Sequence, residues 1–224
     1  RFTDAYVMPQ CTPTRAALLS GQHTARNGMW HVIPWYASPW APVSEPPYRE
    51  QFPRDGFTLA KGLRTAGYTT GMAGKWHLGA GPGKLPSQRG FERTLALADS
   101  GADNWEQRPY APLYDKANWY ADGEEYQLPE DFYSSRFLVD KTIEFIDSDI
   151  EDGQPFFAYL PFQAGHIPVQ APQEFIDRYM GVYDGGWDAL REQRRARAME
   201  LGIIPADSGI GRMSTTADWS ALDA

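Results

Sequence analysis

A continuous apolar run in the second half of the chain, residues 155–162, restricts the fold most strongly. The run reads Pro-Phe-Phe-Ala-Tyr-Leu-Pro-Phe, which is the length of a strand and shows no alternation of polar and apolar residues. A strand of this kind is buried on both faces, as in a parallel sheet that helices cover on both sides. Gly153 precedes the run and ends the segment before it. The run therefore predicts an α/β layer fold.

The segments around this run alternate between strand and helix patterns, as an α/β fold requires. Strands are predicted at residues 2–8 and 68–73. Helices are predicted at residues 13–20, 58–66, 132–149, 172–179, 187–201 and from residue 215 onward. Residues 91–119 are predicted to be mostly loop. Residues 29–48 form a proline-punctuated aromatic loop, which either anchors itself by packing or lines a substrate pocket.

The turn around Cys11 is the first candidate site, because it lies where the first predicted strand leads into a short helix. Thr12 suits the N-cap of this helix, Pro13 its first position, and Gly21 the position just past its end. Arg15 then falls in the first turn, where the helix macrodipole disfavours a cation. An anion held between the helix N-terminus and Arg15 removes this conflict. The turn therefore predicts an anion site that contains a reactive side chain.

Two further stretches place cationic side chains near predicted strand ends. Residues 67–79 read GYTTGMAGKWHLG, and if the strand continues through them, Lys75 and His77 fall on one face. His166 follows the apolar run 155–162, and ligands of open α/β sheets bind at the carboxyl ends of strands. Taken alone, each stretch is also typical of a solvated strand face or a structural histidine. Together with Arg15 they suit an oxyanion-rich transition state, which predicts an anion-ester hydrolase.

These stretches resemble the signature sequences of the type I sulfatases. Residues 11–15, CTPTR, followed by Leu-Ser-Gly, resemble the C-x-P-S/T-R signature, and residues 67–79 resemble the second signature, G-Y-x-T-x-x-x-G-K-W-H-L-G. The residues around His166 resemble the family's Pro-His-x-Pro, with Gly165 in place of the first proline. The resemblance implies an alkaline-phosphatase-like α/β/α sandwich with a mostly parallel central sheet. It also places residues 1–224 in the interior of the N-terminal catalytic domain, cut at both ends.

The resemblance implies a mechanism for sulfate ester hydrolysis. A formylglycine-generating enzyme or equivalent maturase would convert Cys11 to formylglycine, whose hydrate attacks sulfur and later releases sulfate. Arg15 would hold the formylglycine, and Lys75 would contact the sulfate and the nucleophile. His77 would bind substrate and orient the hydrate or take its proton. His166 would contact the sulfate and help to protonate the leaving oxygen.

The resemblance also implies a divalent cation, with calcium as its expected identity. The formylglycine at position 11 would be one ligand. In the family, the remaining ligands lie before the first predicted strand and beyond residue 224, so we expect them outside this chain. Asp103 and Asn104 resemble the family's Asp-Asn ligand pair, but they precede the helix predicted at 132–149 and are predicted to form a turn instead.

Composition limits the partners. The chain has 21 basic and 29 acidic residues and a net charge of −8, so a nucleic-acid-binding role is not expected and an anionic substrate needs a local basic pocket. One cysteine excludes an internal disulfide framework and a multi-cysteine zinc site. No apolar run is long enough to span a bilayer, and no export signal is visible. Localisation stays open, with the periplasm or secretion favoured by the family.

Three functional hypotheses remain at this stage. The first is a formylglycine-dependent sulfatase of the arylsulfatase type. The second is a phosphonate monoester or phosphodiester hydrolase, because relatives with these activities share the C-x-P-x-R turn. The third is a protein that binds sulfated ligands without hydrolysing them. A role for unmodified Cys11 as a zinc ligand or as the thiolate of a phosphatase is a minor alternative, since companion cysteines are lacking.

Overall fold

The computed structural model describes residues 5–33, 48–53, 55–112, 114–149, 153–211 and 217–222. The chain forms two units, one of residues Val7–Gln170 and the other of Arg1–Tyr6 with Ala171–Ala224. The first unit contains the sheet and all the predicted site residues. Within the described ranges, no helix has both the length and the apolar character needed to cross a membrane.

The sheet of the first unit has five strands in the order β4-β3-β2-β1-β5. The strands are β1 (Thr69–Lys75), β2 (Arg93–Leu97), β3 (Trp119–Ala121), β4 (Glu124–Glu125) and β5 (Phe156–Tyr159). β1 pairs in parallel with both β2 and β5, whereas β3 and β4 add an antiparallel edge. The prediction of an α/β fold with a mostly parallel central sheet is confirmed.

Helices cover both faces of this sheet. They are α1 (Cys11–Ser20), α2 (Thr24–Asn27), α3 (Leu59–Thr65) and α4 (Ser134–Asp149). Side chains alternate along a strand, so Met72 and Ala73 of β1 face opposite sides. Met72 belongs to an apolar cluster with Leu19 of α1, and Ala73 to a second cluster with Leu138 of α4. The domain is therefore a three-layer α/β/α sandwich.

The amphipathic pattern of residues 132–149 predicted α4 to within two residues. Leu138 is fully buried, and Phe145 packs against the same apolar cluster. Asp140 and Glu144 are exposed on the opposite face. This agreement follows from the 3.6-residue period, which the sequence displays without any long-range information.

Two strands differ from their predictions. Residues 91–119 were predicted to be mostly loop, yet they contain β2, which is buried from Thr94 to Leu97 and pairs with β1. Residues 5–8 form no strand, and Tyr6 and Val7 are 89% and 76% exposed; residues 1–4 lie outside the described ranges. A short extended segment becomes a strand only by pairing, so local sequence decides neither case.

The apolar run at residues 155–162 forms a shorter strand than predicted, and its two-sided burial is not observed. Among the described strands, β5 pairs only with β1 and lies at the edge of the sheet. Phe156 is 55% exposed, and the other residues of β5 are half-buried. The run nevertheless packs on the core, because Phe157 and Tyr159 both stack on Phe91.

The second unit contains two helices close to the predicted positions, α5 (Gln173–Asp177) and α6 (Gly186–Glu200). Gly202 follows α6 with a φ of 66° and supplies the predicted stop. The helix predicted from residue 215 begins outside the described ranges, and only a 3-10 turn at Trp219–Ala221 is observed. Residues 34–47 of the aromatic loop also lie outside those ranges, so its role remains a prediction.

Candidate active site

The candidate nucleophile is the first residue of α1. The helix begins two residues earlier than predicted, with Gln10 rather than Thr12 as the N-cap, so Arg15 lies in the second turn. The Thr14 hydroxyl donates a 2.7 Å hydrogen bond to the Met8 carbonyl and holds the preceding chain against the helix. Cys11 is half-exposed at this N-terminus, where α1 presents backbone N–H groups without helical partners.

Thr12 does not cap α1 because its hydroxyl serves two distant backbone groups. The Thr12 Oγ1 donates to the His77 carbonyl at 3.2 Å and accepts from the Ile33 N–H at 3.3 Å. The side chain is fully buried. Thr12 therefore connects the start of α1 to the turn after β1.

An open groove of about 420 Å³ lies beside Cys11. Its lining residues are Met8, Pro9, Gln10, Cys11, Thr14, Arg15, Leu18 and Tyr159. Arg15 and Tyr159 form its polar end, with the guanidinium 3.5 Å from the phenol oxygen. A groove of this size with a cation beside the candidate nucleophile suits a small anionic ester.

Arg15 joins α1 to the carboxyl end of β1. Its Nη1 donates a 2.6 Å hydrogen bond to the backbone carbonyl of Lys75. Burial lowers the pKa of Arg15 below its usual value, although Tyr159 and Cys11 act to raise it. The guanidinium stays charged, because arginine side chains are not deprotonated in folded proteins.

Lys75 is the last residue of β1, and its side chain is 3% exposed. Burial, with a smaller contribution from the charge of Arg15, lowers its pKa to about 8, although charge and hydrogen-bonding interactions with Cys11 act to raise it. Gly74 allows this position: its φ is 140°, and a Cβ there would collide with the Pro161 carbonyl. Lys75 is thus a buried cation that contacts the candidate nucleophile.

His77 is 2% exposed, and its φ is positive at 53°. The strand was predicted to continue through His77 and to place it on the same face as Lys75, but β1 ends at Lys75. The turn brings the two groups together instead, since the charge of Lys75 acts on the imidazole. Burial is the largest effect, and together with Lys75 it lowers the His77 pKa to about 3. The ring is therefore neutral at physiological pH.

The hydrogen bond of His77 fixes its tautomer. Its Nε2 lies against the Ile33 carbonyl, which can only accept, so Nε2 carries the proton. The buried Nδ1 has no hydrogen-bond partner among the described residues. His77 therefore presents a lone pair at Nδ1 and can accept a proton or a hydrogen bond from a bound group.

His166 lies in the turn after β5 and is half-buried. Its Nδ1 donates to the Ile167 carbonyl at 2.8 Å, which leaves Nε2 as the ring nitrogen that can exchange a proton with a ligand. The ring of Tyr110 packs edge-on at 5.1 Å. His166 also acts electrostatically on His77.

Hydrogen bonds and charge interactions connect the predicted site residues in series: Cys11 with Arg15 and Lys75, Lys75 with His77, and His77 with His166. Asp103 and Asn104 form the predicted turn, in which the Asp103 carboxylate accepts from the backbone N–H groups of Trp105 and Glu106. Sequence reasoning missed Tyr159, whose pKa burial raises above its usual value. The signal available for Tyr159 was its position near the end of the apolar run 155–162, close to where the predicted strand ends.

The described residues do not by themselves form the implied calcium site. Within those ranges, no group of three or more His, Cys, Asp or Glu side chains is arranged to hold a metal ion. The charged neighbours that act on Cys11 are Arg15 and Lys75, and both repel a cation. The set suits an anion instead, because calcium takes carboxylate and carbonyl oxygens.

Comparisons with known proteins show which family this chain is similar to. The family model described as Sulfatase matches residues 1–218. The arylsulfatase of Klebsiella aerogenes is 36% identical over 227 residues, which cover 99% of this chain and 47% of that protein. Human arylsulfatase A is 33% identical, with 80% of this chain and 36% of that protein covered. The chain therefore spans less than half the length of these curated relatives.

Solved structures show the same similarity. The crystal structure of Ps i-CgsB in complex with k-i-k-neocarrahexaose matches with a TM-score of 0.65 and 27% identity, over 79% of this chain and 40% of that one. The PsFucS1 sulfatase from Pseudoalteromonas sp. matches with a TM-score of 0.55 and 24% identity, over 77% of this chain and 38% of that one, and supports the fold alone.

Proposed function

Because this chain belongs to the sulfatase family, we propose that it carries the active site of a sulfuric ester hydrolase that releases inorganic sulfate from an aryl-type sulfate ester. Its fold is the alkaline-phosphatase-like sandwich predicted from the sequence. The observation that carries the proposal is the buried Lys75 ammonium in contact with Cys11 at the N-terminus of α1. A buried cation beside a nucleophile stabilises negative charge where the ester is attacked.

The proposed nucleophile derives from Cys11. In this proposal, one hydroxyl of the formylglycine hydrate attacks sulfur, and the bond between sulfur and the alcohol oxygen breaks to release the alcohol. The second hydroxyl then gives up its proton, and its collapse to the aldehyde breaks the bond to sulfate, which leaves. Cys11 fits this modification because it is half-exposed in a groove and is the first residue of a helix. Arg15 holds α1 against β1 and offsets charge at position 11. Lys75 binds a sulfate oxygen and the nucleophile.

The two histidines take different roles in this proposal. His77 is neutral with a lone pair at Nδ1, which suits accepting a hydrogen bond from the hydrate and orienting it. The Nδ1 of His166 donates its proton to a backbone carbonyl, so Nε2 is the nitrogen that can donate a proton to the leaving oxygen.

The proposal extends to groups that the described residues do not contain. A divalent cation, with calcium as its expected identity, would take its ligands other than position 11 from outside those residues. A formylglycine-generating enzyme or equivalent maturase would act on Cys11. The residues 1–224 would form an interior part of the N-terminal catalytic domain, in an enzyme of the periplasm or the secreted space.

Turnover by the full-length protein tests the proposal. We expect hydrolysis of 4-nitrophenyl sulfate, and mass spectrometry of the peptide that contains Cys11 should show that the thiol sulfur is lost. Faster turnover of an aryl phosphonate monoester would assign the protein to the phosphonate hydrolases instead. Binding of sulfated ligands without turnover, with an intact thiol, would identify a non-catalytic binding protein.

The leaving-group role of His166 predicts a substrate-dependent effect of His166→Ala. We expect kcat/KM for an alkyl sulfate to fall by about 10²-fold or more, because a poor leaving group needs protonation. The loss on 4-nitrophenyl sulfate should be at least about tenfold smaller, since nitrophenolate leaves without a proton. Steady-state kinetics on both substrates measure the ratio. Equal losses would contradict the role of His166 as the acid.

The lowered pKa of Lys75 predicts the alkaline limb of the pH profile. The ammonium form, which binds the anion, is populated below a pKa of about 8 and is lost above it. Conversion of Cys11 to an uncharged hydrate removes the charge interaction with Cys11, which is one of the contributions that raise this pKa. We therefore expect kcat/KM to decline above pH 8 or slightly below it, which a pH-rate profile measures. A level profile up to about pH 10 would contradict the assignment.

A further inference from the structure

The turn formed by Asp103 and Asn104 is among the most heavily hydrogen-bonded polar features of the sheet domain. The two residues are 4% and 3% exposed. A buried carboxylate and a buried amide are costly unless their polar atoms are paired. Half of their side-chain hydrogen bonds go to one stretch of chain, residues 163–170, which we call the His166 segment because His166 lies near its centre.

The N-terminal end of the His166 segment is held by Gln163. Its Nε2 donates to the Asn104 Oδ1 at 3.1 Å and lies 3.4 Å from the Asp103 carbonyl. The Gln163 carbonyl in turn accepts the backbone N–H of His166 at 3.2 Å. One side chain therefore connects the turn directly to the main chain of His166.

The C-terminal end of the His166 segment is held by Gln170. Its Oε1 accepts from the Asn104 backbone N–H at 3.0 Å and from the Asn104 Nδ2 at 3.1 Å. Its Nε2 donates to the Asp103 Oδ2 at 3.0 Å. The Asn104 Nδ2 also lies 3.4 Å from the Pro168 carbonyl. The turn is therefore hydrogen-bonded to the His166 segment on both sides of the histidine.

The turn itself is attached to rigid structure. Ser134, the fully buried first residue of α4, donates its hydroxyl to the Asn104 Oδ1 at 2.5 Å and its N–H to the Asn104 carbonyl at 2.8 Å. Gly101, just before the turn, lies so close to His166 that an added Cβ would be 2.8 Å from the imidazole Nδ1. The distance between this turn and the imidazole is therefore tightly restricted.

We propose that Asp103 and Asn104 are positioning residues for His166, whose imidazole they hold in place by fixing both ends of the His166 segment. The inference rests on the proposed function, because it assigns these residues an effect on catalysis through His166. It differs from a metal-binding role for the Asp-Asn pair. The polar atoms of the pair are used in hydrogen bonds within the domain.

The test is Gln170→Met in the full-length protein, a substitution that keeps the length of the side chain and removes three hydrogen bonds to the turn. We expect kcat/KM for an alkyl sulfate to fall roughly tenfold more than kcat/KM for 4-nitrophenyl sulfate, since a misplaced acid affects the poor leaving group more. In the His166→Ala background, Gln170→Met should cause no further loss on the alkyl sulfate. Equal losses on both substrates, or additive losses in the double variant, would overturn the proposal.

Arg108→Met is the matched control. Arg108 donates to the same Asp103 Oδ2 at 2.5 Å but its side chain is 64% exposed and forms its ion pairs with Asp103 and Glu106. The control therefore removes a bond to the turn without removing one to the His166 segment. We expect the ratio of the two kcat/KM values to stay at its wild-type value in this variant.

A second measurement does not depend on turnover. Diethyl pyrocarbonate modifies accessible imidazoles, and peptide mass spectrometry separates His166 from the exposed His23, which serves as the internal reference. In Gln170→Met the modification rate of His166 relative to His23 should rise several-fold, and in Arg108→Met it should not. An unchanged ratio in Gln170→Met would overturn the positioning role. If wild-type protein hydrolyses no sulfate ester, the proposed function fails while this ratio still decides the positioning role.

Discussion

Replacing Cys11 with alanine is expected to lower kcat/KM for an aryl sulfate by at least about 10⁴-fold, because the variant lacks the nucleophile. The fold should persist, since Cys11 is half-exposed and alanine is a good helix former at the start of α1. Steady-state kinetics measure the loss, and thermal unfolding of wild type and variant measures the stability.

Leu18→Ala is the matched control for this experiment. Leu18 lines the same groove and is 58% exposed, so its truncation changes the groove without changing the nucleophile. We expect its effect on kcat/KM to stay within about tenfold, in line with the loss of a partly exposed apolar contact. Cys11→Ala that retains more than about one per cent of wild-type turnover would refute the assignment of the nucleophile.

Replacing Lys75 with methionine is expected to lower kcat/KM by about 10³-fold, because it removes a donor aimed at the developing negative charge. Methionine is close to lysine in length and suits a site where the side chain is 3% exposed. Removing a charge whose desolvation already lowers its pKa should not destabilise the protein, so Tm should stay constant or rise. Kinetics with 4-nitrophenyl sulfate and thermal unfolding measure the two effects.

Lys84→Met controls for the change of net charge. Lys84 is half-buried in the turn region after β1, and its contact with the core is made by its backbone carbonyl, which accepts from the Trp76 indole at 2.9 Å. The substitution keeps that hydrogen bond, so we expect less than about a twofold change in kcat/KM. If both lysine variants lose activity equally, overall charge rather than the position of Lys75 explains the effect.

The elements that local sequence predicted are those whose pattern needs no distant partner. The apolar face of α4 follows from its own period, and Gly202 ends α6 through its own φ. β2 was missed because its five residues become a strand only beside β1. The start of α1 was misplaced because the Thr12 hydroxyl is used by Ile33 and His77, which lie 21 and 65 positions away. Capping rules contain no such information.

The same division applies to the candidate site. The five predicted residues were identified by residue type and motif, and charge interactions connect them in the folded chain. The groups that contact them were not predictable. The Ile33 carbonyl fixes the tautomer of His77, and the Tyr159 hydroxyl lies beside Arg15 although the two residues are 144 positions apart in the sequence. Asp103 and Asn104 were correctly predicted as a turn, but their link to Gln163 and Gln170 depends on two chain segments that meet only after folding.

The hydrogen bond from Arg15 to residue 75 ends on a main-chain carbonyl, which every amino acid supplies. The spacing between the nucleophile helix and the strand end is consequently independent of which side chain occupies position 75. The side chain at position 75 can therefore change, in evolution or by design, while the hydrogen bond that connects α1 to the end of β1 is kept.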